Sequence, residues 1–222
     1  MNKVAVIVAG GSGQRMGNAI PKQFLLLDGK PILVHTVSAF ISAFSDTEII
    51  LVLPASHVEE GKEIVAGYFP DSSVQVTAGG DTRFHSVQKG LSLVKQESVV
   101  FVHDGVRCLL SPALIRRCFA VALEKGSAIP VIASHDSVRL QTDKGHLPYD
   151  RNKVMLVQTP QTFLSSWILP AFETEYQAEF TDEATVVERT GKLLTLIDGE
   201  ESNIKITRPV DLLIAAQLLA SR

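Results

Sequence analysis

A chain of 222 residues with 45% hydrophobic content can bury one substantial core, and one domain over residues 1–222 is the expected organisation. The net charge of −3 excludes a general attraction to nucleic acid or to acidic membrane surfaces, so local basic clusters matter more than the overall field. Only two cysteines occur, Cys108 and Cys118, which read as core thiols and exclude a disulfide scaffold. The chain opens on a strand pattern, without a leader-like charged and apolar segment, and no apolar run approaches membrane-spanning length. The expectation is a cytoplasmic protein with no membrane and no nucleic-acid partner.

In chain order, short runs rich in Val and Ile alternate with longer stretches of helical period. Strands are expected over 4–8, 48–53, 73–77, 99–103 and 128–133, and helices over 32–44, 57–68, 82–94 and 112–125. This alternation implies crossovers onto a mostly parallel sheet, an α/β Rossmann-like three-layer sandwich. Pro31 and Pro112 suit first helical turns, where the missing N–H costs nothing. The unbroken run Val99-Val100-Phe101-Val102 reads as a strand covered on both faces.

The pattern changes over 134–153, which is polar and carries a turn signal at Asp143 to Gly145 between Val138-Arg139-Leu140 and Leu147. A protruding β-hairpin arm is expected there. A segment of this length inside a compact domain serves either as an arm that clasps a second copy in a homodimer or as a plain surface loop. Helical period resumes over 164–176 and 182–189, with Thr181 as N-cap of the latter, followed by a strand over 193–197 and a closing helix over 209–220.

The chemistry begins at the end of the first strand, in Ala9-Gly10-Gly11-Ser12-Gly13-Gln14-Arg15-Met16-Gly17 followed by Pro21-Lys22-Gln23-Phe24. Glycines let backbone N–H groups close around phosphate oxygens, while Arg15 and Lys22 bring the positive charge a polyphosphate requires. A P-loop is excluded because no Gly-Lys-Ser/Thr triplet ends the loop. A dinucleotide fingerprint fails too: Met16 stands where its third glycine belongs, and the second strand runs into Pro54-Ala55-Ser56 without an acid. Ligands of an open parallel sheet collect at the carboxyl ends of the strands. Polar loops recur there: Gly79-Gly80-Asp81-Thr82-Arg83, His103-Asp104-Gly105-Val106-Arg107 and 134–137. One His-Asp pair without further spaced ligands does not make a metal hydrolase, and His103 reads as a strand-end histidine.

The run AGGSGQRMG, PKQF, GKPIL, AGGDTRFHSV, VHDGVR, DRN, QTPQTF, TDEATVVE and NIKITRPVDL resembles, over the whole chain, the 2-C-methyl-D-erythritol 4-phosphate cytidylyltransferases of non-mevalonate isoprenoid synthesis. The opening loop is shared with many sugar nucleotidyltransferases, whereas QTPQ, TDEA and NIKIT in this order are narrower. The ribitol-5-phosphate cytidylyltransferases are the nearest relatives by motif, and TDEA favours the erythritol enzymes.

The resemblance implies a nucleotidyltransferase-type fold and transfer of CMP from CTP to a polyol phosphate. The acceptor is an ionised phosphate oxygen, so the chemistry needs charge neutralisation and no general base. By the resemblance, Arg15 and Lys22 stabilise the transition state, each by about 2–4 kcal/mol. Arg151 and Lys205 join them as catalytic groups that aim the acceptor phosphate. Ala9, Gly10, Gly11 and Gly13 wrap the nucleotide, Gly80, Asp81 and Ser86 read the cytosine, and Asp104 and Gly105 lie near the ribose. Mg²⁺ is implied, held mostly by triphosphate oxygens and water with a minor share for Asp104. Arg107, Ser137 and Thr181 complete the acceptor site with Arg151 and Lys205, and the arm carrying Ser137 and Arg151 is implied to reach a neighbouring subunit. Two departures stand out. Where many members read Asp-Ala-Ala-Arg-Pro this chain has Asp104-Gly105-Val106-Arg107-Cys108, a looser loop on paper, and Ser137 replaces a common Thr. The alternatives are ribitol phosphate as acceptor, or a nucleotide-binding module or arm-linked scaffold without turnover.

Overall fold

The computed structural model describes residues 1–10 and 21–221. Strand β1 (Asn2–Val8) is followed, beyond a short ribbon of β2 (Leu26–Leu27) and β3 (Lys30–Pro31), by helix α1 (Ile32–Ala43), which Pro31 directly precedes. Strand and helix then alternate through β4 (Glu48–Leu53), α2 (Val58–Tyr68), β5 (Val74–Ala78), α3 (Arg83–Leu91), β6 (Ser98–Asp104), α4 (Pro112–Lys125) and β7 (Ser127–Ala133). Helix α4 starts as its residues dictate: Pro112 fills the first turn and the Ser111 hydroxyl accepts the Leu114 N–H.

A two-stranded ribbon of β8 (Val138–Thr142) and β9 (Gly145–Tyr149) comes next, its strands pairing only with each other. Its turn is closed by Gly145 at φ 123°, a conformation other residues rarely adopt. The chain returns through β10 (Met155–Val157) and β11 (Gln161–Leu164) to α5 (Ser165–Ala171), α6 (Glu183–Glu188), β12 (Leu196–Asp198) and α7 (Pro209–Ala220).

The main sheet runs β10-β7-β11-β6-β1-β4-β5, with β12 added on β7. The four strands β6, β1, β4 and β5 are mutually parallel, whereas β10 and β11 run antiparallel to their neighbours. From β1 the chain steps outward to β4 and β5, then returns to place β6 on the other side of β1. The strand order thus reverses at β1 and β6, and the carboxyl ends of these strands frame a crevice.

Alternation along each strand supplies both faces. Ala5, Ile7, Ile49 and Leu51 pack with Leu33, Phe40, Leu114 and Cys118 of α1 and α4, while Val4, Val6, Ile50 and Val52 pack with Phe84, Val87, Ile168 and Val187 of α3, α5 and α6. Val99 to Val102 expose 0% of their surface, which is why β6 shows no polar alternation.

Three expectations need adjusting. The helix expected over 164–176 is shorter, because Leu164 closes β11 and Pro170 contributes no N–H to extend the turn. Asp182, not Thr181, caps α6: its carboxylate accepts the Thr185 N–H (3.0 Å) and the Asp182 N–H reaches back to Thr185 Oγ1 (3.4 Å). The last strand lies slightly later, at Leu196–Asp198, where it pairs parallel to Ile129–Val131. No described helix is long and apolar enough to cross a membrane.

Candidate active site

A cleft of about 420 Å³ opens at the carboxyl ends of β1, β5 and β6. One wall is Val8, Ala9 and Gly10; a second is the turn from Gly80 into the first residue of α3, Arg83; and the floor holds Asp104 and Val106. Lys22, Gln23, Ser86 and Lys205 complete the lining.

The Gly79-Gly80 turn is built around one hydroxyl. Ser86 Oγ accepts the Gly80 N–H (3.1 Å) and donates toward the carbonyls of Thr82 (3.0 Å) and Gly80 (3.3 Å). A Cβ on Gly79 would stand 2.7 Å from that Oγ, so only glycine allows the approach. Thr82 caps α3 by accepting the His85 N–H. Ser86, buried at 3% exposure, thus fixes the polar edge that Gly80 and Asp81 present to the cleft.

Asp104 is the electrostatic centre. Its Oδ1 accepts from Arg83 Nε and Nη2 (both 3.3 Å), and its Oδ2 meets Lys205 Nζ (3.0 Å) and Arg107 Nε (3.4 Å). Burial works against its charge, but Arg83, Lys205 and Arg107 outweigh that and hold the carboxyl well below the usual carboxylate range. Arg83 is in turn gripped from behind by Glu183 through paired hydrogen bonds, Nη1 to Oε1 and Nη2 to Oε2, the latter at 3.1 Å. Burial disfavours the Arg83 charge, yet Glu183 and Asp104 together raise its affinity for the proton. Lys22 Nζ donates to the Ile206 carbonyl (3.3 Å), which joins the PKQF segment to the NIKIT segment beside Lys205.

The Asp104-to-Cys108 loop is held by hydrogen bonds in place of the alanine and proline restraints it lacks. Gly105 N–H donates to the Val8 carbonyl (2.9 Å), Thr36 Oγ1 donates to the Gly105 carbonyl (2.9 Å), and Ile206 N–H donates to the Val106 carbonyl (3.0 Å). A Cβ on Gly105 would lie 2.9 Å from Ala9 Cβ, so glycine belongs to this close passage of two loops.

His103 is a buried brace. Its Nε2 lies 3.2 Å from the Arg107 carbonyl, which can only accept, so the proton sits on Nε2 and Nδ1 accepts from the Thr159 hydroxyl (3.0 Å). Thr159 Oγ1 then accepts the Asp104 N–H (3.1 Å). Burial pushes the imidazole down to about 4, against the pull of Asp104.

The expected site residues divide into three groups. Ala9, Gly10, Lys22, Gly80, Asp81, Ser86, Asp104 and Lys205 line the cleft, Gly105 supports its floor, and Arg107 joins through Asp104. Gly11, Gly13 and Arg15 lie outside the described residues. Ser137, Arg151 and Thr181 do not line the cleft of their own chain. Ser137 and Arg151 sit at the base of the arm, where Arg151 Nη1 donates to the His135 carbonyl (2.7 Å), and Thr181 borders a separate small cavity.

Arg83 and Glu183 were missed by sequence reasoning as site residues, and so were the braces in QTPQ and NIK. Gln158 Nε2 donates to the Glu200 carbonyl (2.8 Å), and Asn203 Nδ2 donates to the Thr159 carbonyl (2.8 Å) while its own carbonyl accepts from Arg107 Nη1 (2.8 Å). The retrievable signal was the motifs themselves, whose glutamines and asparagine had no assigned task.

For a metal, no group of three or more His, Cys, Asp or Glu side chains gathers among the described residues. Both Asp104 oxygens are taken by cations. Among the described residues the donor set therefore fits a divalent ion that brings most of its own oxygen ligands, with Asp104 as a minor contributor.

The profile of the family described as 2-C-methyl-D-erythritol 4-phosphate cytidylyltransferase matches residues 3–221. The protein of that name from Phocaeicola vulgatus is 45% identical over 219 residues, covering 99% of this chain and 100% of its own. The one from Geobacillus kaustophilus is 36% identical over 225 aligned residues, covering 100% and 99%. The crystal structure of 4-diphosphocytidyl-2C-methyl-D-erythritol synthase from Anaerococcus prevotii is similar with a TM-score of 0.85 at 28% identity, covering 99% of this chain and 96% of that one. With the cationic cleft at the switch point of a mostly parallel sheet, and a match running nearly from end to end, the chain belongs to the 2-C-methyl-D-erythritol 4-phosphate cytidylyltransferase family.

Proposed function

We propose that this chain transfers CMP from CTP to 2-C-methyl-D-erythritol 4-phosphate, giving 4-CDP-2-C-methyl-D-erythritol and pyrophosphate in non-mevalonate isoprenoid synthesis. The observation that carries the reading is the convergence of Lys22, Arg83 and Lys205 on one cleft, with Arg107 tied into its floor by Asp104. A phosphate oxygen of the acceptor attacks the α-phosphorus, the bond to the β-phosphate breaks, and pyrophosphate carries the electron pair away. No proton has to be taken from the nucleophile, so the barrier is dominated by bringing two anions together.

Lys22, with Arg15, neutralises the charge that builds on the transferred phosphoryl and the leaving pyrophosphate. Gly80, Asp81 and Ser86 form the base-reading edge, where backbone groups meet the amine and carbonyl of cytosine; Ala9 and Gly10 border the nucleotide, and Asp104 and Gly105 the ribose. Lys205 keeps two donors beyond its bond to Asp104 and, with Arg107, receives the acceptor phosphate. Bound with the triphosphate, Mg²⁺ would supply further charge neutralisation, with Asp104 as its protein neighbour.

The acceptor site is completed by a second copy. Leu147 and Tyr149 of the ribbon are 45% and 42% exposed and Leu156 of the sheet's edge is 46% exposed, apolar surface on the segments that flank Ser137 and Arg151, which suits a homodimer in which the arm reaches the other chain's cleft. Thr181 joins the acceptor site in the same reading, and the cytoplasm is its compartment.

The test is pyrophosphate release from CTP with each candidate acceptor. Methylerythritol phosphate is expected to outrun ribitol phosphate, and the reverse order would reassign the substrate. Lys22→Ala is expected to lower kcat by about 30-fold to 1000-fold, corresponding to roughly 2–4 kcal/mol. An unchanged rate would overturn the charge-neutralisation account.

A further inference from the structure

The glutamate of the TDEA segment has no task in the reaction just described, yet it is among the most buried charges in the molecule. Glu183 is 1% exposed, and both its oxygens are committed to Arg83. The segment that carries it is bolted down independently. Gln161 Nε2 donates to Asp182 Oδ2 (2.9 Å), Gln161 Oε1 accepts the Ala184 N–H (2.7 Å), and Asp182 caps α6. Helix α6 thus presents a carboxylate whose position does not depend on the cleft.

Arg83 is clamped face-on by that carboxylate and reaches Asp104 only from the side, at 3.3 Å through Nε and Nη2. This occupies Oδ1 and leaves Oδ2 facing Lys205 and Arg107. A carboxylate has one plane, so fixing Oδ1 also fixes where Oδ2 meets the lysine. The side chain of Lys205 is 41% exposed and flexible by nature, and Asp104 is its charged partner. The order of dependence runs from the rigid end of the chain of contacts to the soft end: Glu183, Arg83, Asp104, Lys205.

We propose that Glu183, acting through Arg83 and Asp104, is a positioning residue chiefly for the acceptor phosphate: it sets the point from which Lys205 and Arg107 meet that group. The inference rests on the activity proposed above. A guanidinium shared between two carboxylates tolerates neither the loss of its clamp nor replacement by an ammonium, which lacks the planar fork.

The experiment is steady-state kinetics of Glu183→Gln with each substrate varied in turn, beside a thermal unfolding curve. The expected result is a rise of about tenfold or more in KM for methylerythritol phosphate, with a several-fold smaller rise in KM for CTP, whose ribose also lies beside Asp104. Arg83→Lys is expected to give the same split, and it carries the test if Glu183→Gln does not fold. Adding Arg83→Met to Glu183→Gln is expected to cost less than the sum of the single changes, because both act through one contact. Equal shifts in both KM values, or a lowered unfolding temperature with unchanged kinetic constants, would reduce Glu183 to a purely structural role and overturn the proposal. A wild type that releases no pyrophosphate would overturn the activity reading, and this proposal with it; an active wild type isolates the failure to Glu183.

Discussion

Asp104 and its neighbour His103 show how one strand end serves both charge and shape. The carboxylate gathers three cations around itself, while the buried imidazole ties Thr159 to the Arg107 carbonyl. The second task requires the neutral ring, because a protonated Nδ1 cannot accept from the Thr159 hydroxyl. Burial holds the His103 pKa at about 4 against 6.5 for the free group, so the unfolded chain takes up this proton first as pH falls. Its contribution to stability is therefore whole above about pH 6.5 and is lost as pH falls toward 4, at a limit of about 3 kcal/mol. Denaturant unfolding at pH 7 and pH 4.5 checks this. The loss of stability between the two is expected to be about 2–3 kcal/mol smaller in His103→Gln than in the wild type.

Among the elements, α4 and its exit show how tightly the layers are fitted. Gly126 ends the helix at φ 89°, and a Cβ there would run into the Trp167 indole of α5. Gly126→Ala is expected to cost about 2–4 kcal/mol, combining a left-handed backbone on a residue with a side chain and an overpacked contact, read as a lower unfolding midpoint. The elements legible in the sequence were those with a strong local signature. The parallel strands announced themselves by unbroken Val and Ile runs, α4 by Pro112, and the arm by Asp143-Lys144-Gly145. Strands β10 and β11 did not, because three or four residues show little period and their identity comes from partners β7 and β6. Thr181 and Asp182 are both good caps by composition, and only the backbone decides between them. The cleft was legible where loops follow strands in the chain. The Arg83–Glu183 pair was not, since 100 residues separate its members and nothing local says that their two motifs meet.

Taken whole, the molecule exposes apolar side chains at several places, the ribbon and β10 among them. The ribbon belongs to no larger sheet, and a two-stranded ribbon has too little of its own core to stand alone. A partner against Leu147, Tyr149 and Leu156 would supply that cover. On the homodimer proposed above, Leu147→Glu with Leu156→Glu is expected to shift sedimentation toward the monomer and, by withdrawing Arg151 from the other chain's cleft, to cut turnover while leaving CTP binding in place. Sedimentation unchanged at micromolar protein would argue against this flank as the interface.

The cleft joins Val8 to Lys205, and Lys22 to the carbonyl just beyond that lysine, so its lining spans almost the entire polypeptide. A ribosome that has released everything through α6 has produced most of the sheet but not Lys205, the ammonium group proposed to aim the acceptor. On that proposal the cleft is completed late in translation, and a chain interrupted before Lys205 is expected to lack acceptor turnover.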